Sequence, residues 1–318
     1  WQRAAELAAQ NRIRRYGLIT TNSITQSFNR RVVQGALDDG VILRFAIPDH
    51  PWVDSETGAA VRIAMTVGEL GNGEGLHGEV TAERTLESGE VDVTFRPRRG
   101  VLRADLRVGA NVSGAVPLRA NDGISGMGVA LHGAGFIVDP DEAARLRRSG
   151  PAVIREYLGG RDLVQARRER YVIDFSFMDE NQARAANAAA FQRVIDHVKP
   201  ERDQNRRAAI REKWWRFGWE RPGVRAALDH MPRFIGTTET SKYRVFQFLD
   251  GGILPDHMII VFALSDALVL GMLSSRIHVV WALAAGGRLG VGNDPRYNKS
   301  RCFDPFPFPA CTDAQRDR

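Results

Sequence analysis

The run YGLITTNSITQSFNRRVVQGALDDGVILRFAI, residues 16–47, decides the fold. Leu18 to Thr21 reads as a short buried strand and Asn22-Ser23 as the loop leaving its carboxyl end. Phe28 to Leu37 can form a crossover helix, and Val41 to Ile47 is a second strand. After Pro48 to Trp52 the chain loops through Asp54 to Gly58 and returns as a third strand, Ala60 to Val67. Strand, helix, strand, loop, strand is the closing half of a doubly wound α/β sheet, in which ligands gather at the carboxyl ends of strands. No opening half precedes it, and the chain opens at Trp1, so the expectation is a piece of a longer polypeptide.

Upstream, Gln2 to Arg15 has the composition of a helix. Downstream, Gly71 to Gly75 follows a strand and invites comparison with a nucleotide cradle, but His77 to Glu87 supplies no helix N-terminus to hold a phosphate. A hairpin tip is the expected role, with Glu79 to Pro97 as an exposed hairpin or linker. Asn121 to Phe136 is glycine-rich and implies tight turns. Asp139 caps a helix running through Arg148, Tyr171 to Phe177 is a strand, and Asn181 to Val198 and Pro200 to Phe217 are two helices broken at Pro200. Phe234 to Leu249 is strand-like around Tyr243 to Phe248, Met258 to Leu264 is another strand, and Ala267 to Ala285 is one long buried helix.

The 318 residues carry a net charge of +6 and a pI near 9.7, which favours a polyanionic partner. Cys302 and Cys311 are the only cysteines, which excludes a disulfide framework and a cysteine-rich zinc site; no metal site is expected, and a reducing, cytoplasmic compartment is. The apolar run Met258 to Ala285 is interrupted by Asp266, Arg276 and His278, which argues against a membrane span.

Charge concentrates in Lys199 to Arg233, KPERDQNRRAAIREKWWRFGWERPGVRAALDHMPR, where ten Lys/Arg interleave with Trp214, Trp215, Phe217 and Trp219 against five acids. Either the arginines meet phosphates and the rings anchor the element or lie on bases, or the stretch is an amphipathic helix with core tryptophans and solvated arginines. Arg206, Arg207, Arg211, Lys213, Arg216, Arg221 and Arg225 are candidates for phosphate contact, some of them able to pair with Glu212 and Glu220 instead. Lys242, Arg244 and Gln247 in Thr237 to Gln247, with Arg119 and Asn121, carry the fork-shaped or amide side chains that discriminate bases; a solvent-facing charged strand would look the same.

Six phrases lie in register: YGLITTNSITQ, HPWVDSETGAAVRIAM, GMGVALHGAGFIV, WWRFGWERP, LSSRIHVVW and GGRLGVGNDPRYNKSRCFDPFPFP. Together they resemble the carboxyl-terminal part of the single-chain adenine-N6 DNA methyltransferases, and more narrowly the MmeI-like (type IIL/IIG) restriction-modification group. The resemblance covers nearly the whole chain, with Gly68 to Val116 the least matched. It implies an α/β remnant, the closing strands of a Rossmann-like methyltransferase sheet, in residues 1–97. An α+β target-recognition domain would follow in 98–233, and a mainly helical carboxyl-terminal segment in 234–318. The partners implied are double-stranded DNA and the upstream part of the same polypeptide. The cofactor implied for that longer polypeptide is S-adenosylmethionine; none is expected for this piece, because the family's cofactor loop and Asn/Asp-Pro-Pro-aromatic motif lie upstream.

Within the resemblance, Trp52 matches the aromatic that closes one face of the flipped adenine, and Asn22 and Ser23 lie where the pocket rim falls. Trp52 as a loop residue shielding the sheet edge, and Asn22-Ser23 as simple loop caps, are equally compatible with the residues. Asn293 to Tyr297 and Asp304-Pro305-Phe306 echo the catalytic motif but lack paired prolines and read as structural. Two other functional classes stay open. A hydrolase could use Ser275 and His278, although the apolar surroundings favour a buried histidine and no G-x-S-x-G turn exists; the other class is a non-enzymatic nucleic-acid-binding or protein-interaction module.

Overall fold

The computed structural model describes residues 1–26, 29–53, 60–87, 90–289 and 294–316. The expected loop Asp54 to Gly58, residue Phe28 of the expected helix, and Asn293 lie outside the described residues. Two compact units divide the chain, Trp1–Ala115 and Val116–Arg318. Both combine helices with sheets, so the fold is mixed α/β.

In the first unit, helix α1 (Gln2–Ala9) precedes strand β1 (Tyr16–Thr21), helix α2 (Arg30–Asp38), and strands β2 (Val41–Val53) and β3 (Ala60–Leu70). Helix α1 stops short of Arg15 because Asn11 takes a left-handed conformation at φ 56°, a helix-ending geometry that asparagine tolerates. Strands β1 and β2 are joined through α2, but β3 runs antiparallel between them. Strands β4 (Gly75–Thr85) and β5 (Val91–Gly100) form the expected hairpin and extend the sheet to the order β1-β3-β2-β4-β5. Helix α2 packs Val33 with Leu43, Ala46 and Ala64, while α1 contributes Ala5 and Ala8 beside Tyr16 and Val41.

The Gly71–Gly75 turn is a crossover and not a hairpin tip. It carries the chain past the start of β2, since β4 pairs with β2 in parallel and not with β3. A Cβ on Gly75 would stand 2.1 Å from the Leu43 carbonyl oxygen, so backbone proximity requires that glycine.

In the second unit the order is β6 (Ser125–Met127), β7 (Ile137–Val138), α3 (Pro140–Arg147), β8 (Ile154–Leu158), β9 (Tyr171–Ile173), α4 (Glu180–Ala186), α5 (Ala188–His197), α6 (Lys199–Asp203), α7 (Ala208–Glu212) and α8 (Pro222–Leu228). It continues with β10 (Arg233–Thr238), β11 (Phe246–Asp250), β12 (Leu254–Pro255), β13 (Ile259–Phe262), α9 (Ala267–Ser274), α10 (Arg276–Ala285), β14 (Gly287–Leu289), β15 (Asp294–Arg296) and α11 (Lys299–Cys302). One sheet runs β11-β10-β13-β6, another β12-β8-β9-β7, and β14 pairs with β15. Asp139 caps α3 as its spacing predicts, its side chain accepting from the Glu142 amide at 2.8 Å. The carboxyl-terminal residues expected to be mainly helical also supply β10, β11 and β13, and β13 pairs with β6 from residues 125–127.

Three expected helices are broken, two of them by a side chain that competes for the backbone. Asn187 divides α4 from α5: its Oδ1 accepts from the Ala190 amide at 2.9 Å and its Nδ2 donates to the Leu146 and Gly150 carbonyls at 2.9 and 3.0 Å. Ser275 caps α10 by accepting from the His278 amide at 3.2 Å, and α9 and α10 meet at 58°. The basic stretch forms only α6 and α7 before leaving helical geometry. Trp214, Trp215 and Phe217 all enter one core. Trp214 lies 5.4 Å from Phe191, Phe217 lies 5.2 Å from Phe136, and the Trp215 indole donates to the Met178 carbonyl at 3.1 Å. Among the described residues no single helix is long and apolar enough to cross a membrane, although the bent pair α9–α10 has that length and composition together.

Candidate nucleic-acid interface

In the first unit, Asn22 and Ser23 stand in the short 3-10 turn that leaves the carboxyl end of β1. The Asn22 amide donates to Asp49 Oδ1 at 2.9 Å, the same oxygen that receives Arg62 Nε at 2.6 Å, and Arg62 in turn holds Glu83 at 2.6 and 3.1 Å. Asp49 lies on β2 three residues before Trp52, so this chain of charges ties Asn22 to the strand segment that carries the indole. The Ser23 hydroxyl shares a hydrogen bond with Thr21 at 2.6 Å. Trp52 faces Val61 across the β2–β3 ladder and is 46% exposed, an indole displayed and not packed. The Gly71–Gly75 turn leads into a strand, so no helix N-terminus stands behind it to hold a phosphate. Among the described residues no group of acids, histidines and cysteines could hold a metal ion.

In the second unit, the twelve candidates for DNA contact separate by what their side chains already do. Asn121 is only 5% exposed, and its Nδ2 donates to the carbonyls of Phe303, Asp304 and Phe306 at 3.1, 3.1 and 2.9 Å. Arg244 is turned inward over the Tyr297 ring, donating to the Thr238 carbonyl, to Thr237 Oγ1 at 3.2 Å and to the Pro295 carbonyl at 3.0 Å; burial pushes its pKa down. Gln247 donates to the Leu163 carbonyl at 3.2 Å. Arg216 forms a fork on Glu220, whose hydrogen bond holds its pKa up, and Arg225 forms another on Asp174 at 2.7 and 3.2 Å. These five groups have polar partners within the unit.

The remaining seven are freer. Arg119, Arg206, Arg207, Arg211, Lys213 and Lys242 are exposed, with Arg211 also donating to the Asn205 carbonyl at 2.7 Å and Lys242 lying over the Tyr243 ring. Arg221 is half-buried with its guanidinium 4.9 Å from the centroid of the Trp219 ring, which is 47% exposed. No carboxylate of the described residues lies within ion-pair distance of these seven cations. Arg206 to Lys213 therefore form a solvated basic segment directly before the buried Trp214-Trp215 pair. In the Lys199–Arg233 stretch most of the rings are core, and several of the cations have no carboxylate partner among the described residues.

Sequence reasoning missed Phe177. Alternation along YVIDFSF puts Phe175 and Phe177 on one face, which reads as core, yet Phe175 is buried and Phe177 is exposed. The Ser275/His278 pair is no catalytic dyad. Ser275 caps a helix, while His278 is buried with Nδ1 at 2.8 Å from the Leu273 carbonyl and Nε2 at 3.2 Å from the Tyr297 hydroxyl, as the apolar surroundings predict.

The family model for the MmeI target recognition domain matches residues 124–310, more than half of the chain. No curated protein matches the sequence. Among solved structures, the chain is similar to the type IIL restriction-modification enzyme MmeI in complex with DNA, with a TM-score of 0.76 at 20% identity, covering 99% of this chain and 42% of that one. The likeness at that identity is one of fold, and this chain spans less than half the length of the enzyme it matches.

Proposed function

This chain belongs to the MmeI target-recognition-domain family, and from that premise we propose that it recognises double-stranded DNA in a sequence-specific manner as part of a larger restriction-modification enzyme. The match across residues 124–310 carries the reading, because the same residues hold the solvated cations Arg206, Arg207, Arg211 and Lys213. Cations without protein counter-ions release condensed counterions when they meet phosphates, which makes affinity steeply salt-dependent. Binding isotherms on a randomised duplex at two salt concentrations, followed by sequencing of the bound fraction, test this reading. Affinity that falls with salt, together with an enriched sequence, is the expected result; affinity indifferent to salt would leave a protein-interaction module instead.

The larger enzyme is an S-adenosylmethionine-dependent adenine-N6 DNA methyltransferase acting in the cytoplasm. Residues 1 to about 97 are the closing strands of its catalytic sheet, and the recognition domain follows in the residues beyond, across the 124–310 of the family match, so that the 234–318 segment belongs with it. The position of β1 at the edge of its sheet supports this layout, since an unpaired strand edge with Ile19 exposed is a ready template for upstream strands. Trp52 is the stacking face for the flipped adenine, with Asn22 and Ser23 at the rim; the exposure of the indole and the Asn22–Asp49 bond on the same strand support that assignment. The family's cofactor loop and Asn/Asp-Pro-Pro-aromatic motif lie upstream of the residues matched here, and on this reading the chain alone transfers no methyl groups. Incubation with labelled S-adenosylmethionine and mixed DNA should leave the DNA unlabelled; labelling by the purified chain would overturn the layout.

A further inference from the structure

Phe177 follows β9 at φ 65°, a left-handed conformation that bulky residues rarely adopt and that glycine or asparagine would take with less strain. The chain gains little packing in return, because the ring is 50% exposed. Its neighbours nevertheless hold it. Glu220 Oε1 accepts from the Phe177 amide at 2.9 Å while pairing with Arg216 at 2.7 Å. The Arg225 guanidinium lies 5.1 Å from the ring centroid and is fixed in turn by buried Asp174, which also accepts from the Ser176 amide at 3.0 Å. Backbone strain that the surroundings actively maintain, at a residue displayed to solvent, points to use and not to packing.

The ring borders a hollow of about 450 Å³ whose wall includes Arg155, Arg221 and Arg225 above apolar Val224, Leu228 and Ile253. Of the three guanidinium groups, Arg225 is neutralised by Asp174 and Arg155 donates to the Gly252 carbonyl at 3.3 Å. Neither Arg155 nor Arg221 has an ion-pair partner among the described residues, and Arg221 is the one aligned on the Trp219 ring. An aromatic face beside a free guanidinium in a concave, partly apolar wall matches one nucleotide unit, the ring for a base and the cation for its phosphate.

We propose that Phe177 is a nucleic-acid contact of this unit, its ring stacking on a base of the bound DNA that has opened from its neighbour, with Arg221 on the adjacent phosphate. The inference rests on the DNA-recognition reading above and assigns it a specific contact. Apolar rings are used in this way to unstack a base step.

The test uses the full chain and a fluorescent randomised duplex. Phe177→Gly and Phe177→Asn should leave the melting temperature unchanged or raise it, since both relieve the left-handed backbone. The same variants should weaken DNA binding about tenfold, the weight of one base–aromatic stack, without changing the salt slope. Phe177→Tyr should retain affinity, and Arg221→Ala should flatten the log–log salt slope by about one. Wild-type affinity in both Phe177→Gly and Phe177→Asn, or a loss that merely follows a fall in melting temperature, would overturn the proposal while leaving DNA recognition standing. Failure of the unaltered chain to bind the duplex would remove the DNA reading itself, and this contact with it.

Discussion

Replacing Asn121 by alanine separates a base-reading amide from a structural clamp. The two hydrogens on its Nδ2 are shared among three carbonyls, of which Asp304 keeps a second partner in the Leu118 amide at 2.8 Å and Phe303 keeps one in the Phe306 amide at 2.9 Å. The substitution therefore strips the carbonyl of Phe306 in a turn whose rings pack into the core, Phe303 against Phe262 at 4.8 Å and Phe306 against His278 at 4.6 Å. A buried carbonyl without a donor costs about 1–3 kcal/mol, so the loss here is about 2 kcal/mol. For a unit of this size that corresponds to a fall of about 4–8 °C in melting temperature. Calorimetry of wild type and Asn121→Ala, beside salt-dependent DNA isotherms on the folded proteins, checks it. The expected result is a lower transition with an unchanged salt slope and unchanged sequence preference. An unshifted transition together with a relaxed base preference would refute the clamp and restore Asn121 as a reader of bases.

Other consequences follow from the same accounting of partners. Arg207→Ala with Arg211→Ala should flatten the log K versus log salt slope by about two on every duplex, whereas Trp215→Ala should cost ~3–5 kcal/mol of stability and leave the slope of the folded protein alone; an intact slope in the arginine pair would move the interface elsewhere. Burial alone would raise the pKa of Asp162, but the Arg168 side chain at 2.8 Å, the Gly159 amide at 2.8 Å and Arg170 at 2.6 Å hold it down at about 2. Its folded pKa lies below the ordinary aspartate value, so this contribution is fully present above about pH 4 and is lost as pH falls towards 2, amounting to roughly 2 kcal/mol. Acid titration of Asp162→Asn should lack that component, and an acid profile identical to wild type would show that the cluster contributes nothing. His278 carries the opposite charge type: burial depresses its pKa, so protonation below the ordinary histidine range favours unfolding, and a phenylalanine in its place should reduce the loss of stability between neutral pH and pH 5. In the longer polypeptide, Trp52→Ala should lose on the order of 1–3 kcal/mol of flipped-base stabilisation, read with a fluorescent adenine analogue, while duplex affinity stays near wild type; unchanged flipping would assign the indole to the scaffold.

By itself the sequence determined the elements that local pattern encodes. Apolar runs marked β1, β2, β3 and β13, the Asp139-Pro140 pair marked the start of α3, and the apolar setting of His278 marked a buried, hydrogen-bonded ring. The basic composition favours a polyanionic partner, and six phrases in register marked the family. Tertiary structure decided what depends on residues far apart in the chain. The reversed insertion of β3 between β1 and β2 is a matter of pairing, which hydrophobic period does not specify. Helix ends at Asn11, Asn187 and Ser275 depend on short polar side chains, which either cap or continue a helix according to what the tertiary fold sets beside them. The availability of each polar side chain was likewise invisible, because Arg225 meets Asp174 across 51 residues and Asn121 meets Phe303 across 182. Phe177 is the clearest case: its alternation pattern reads as core, and only the left-handed backbone held by Glu220 turns the ring out to solvent.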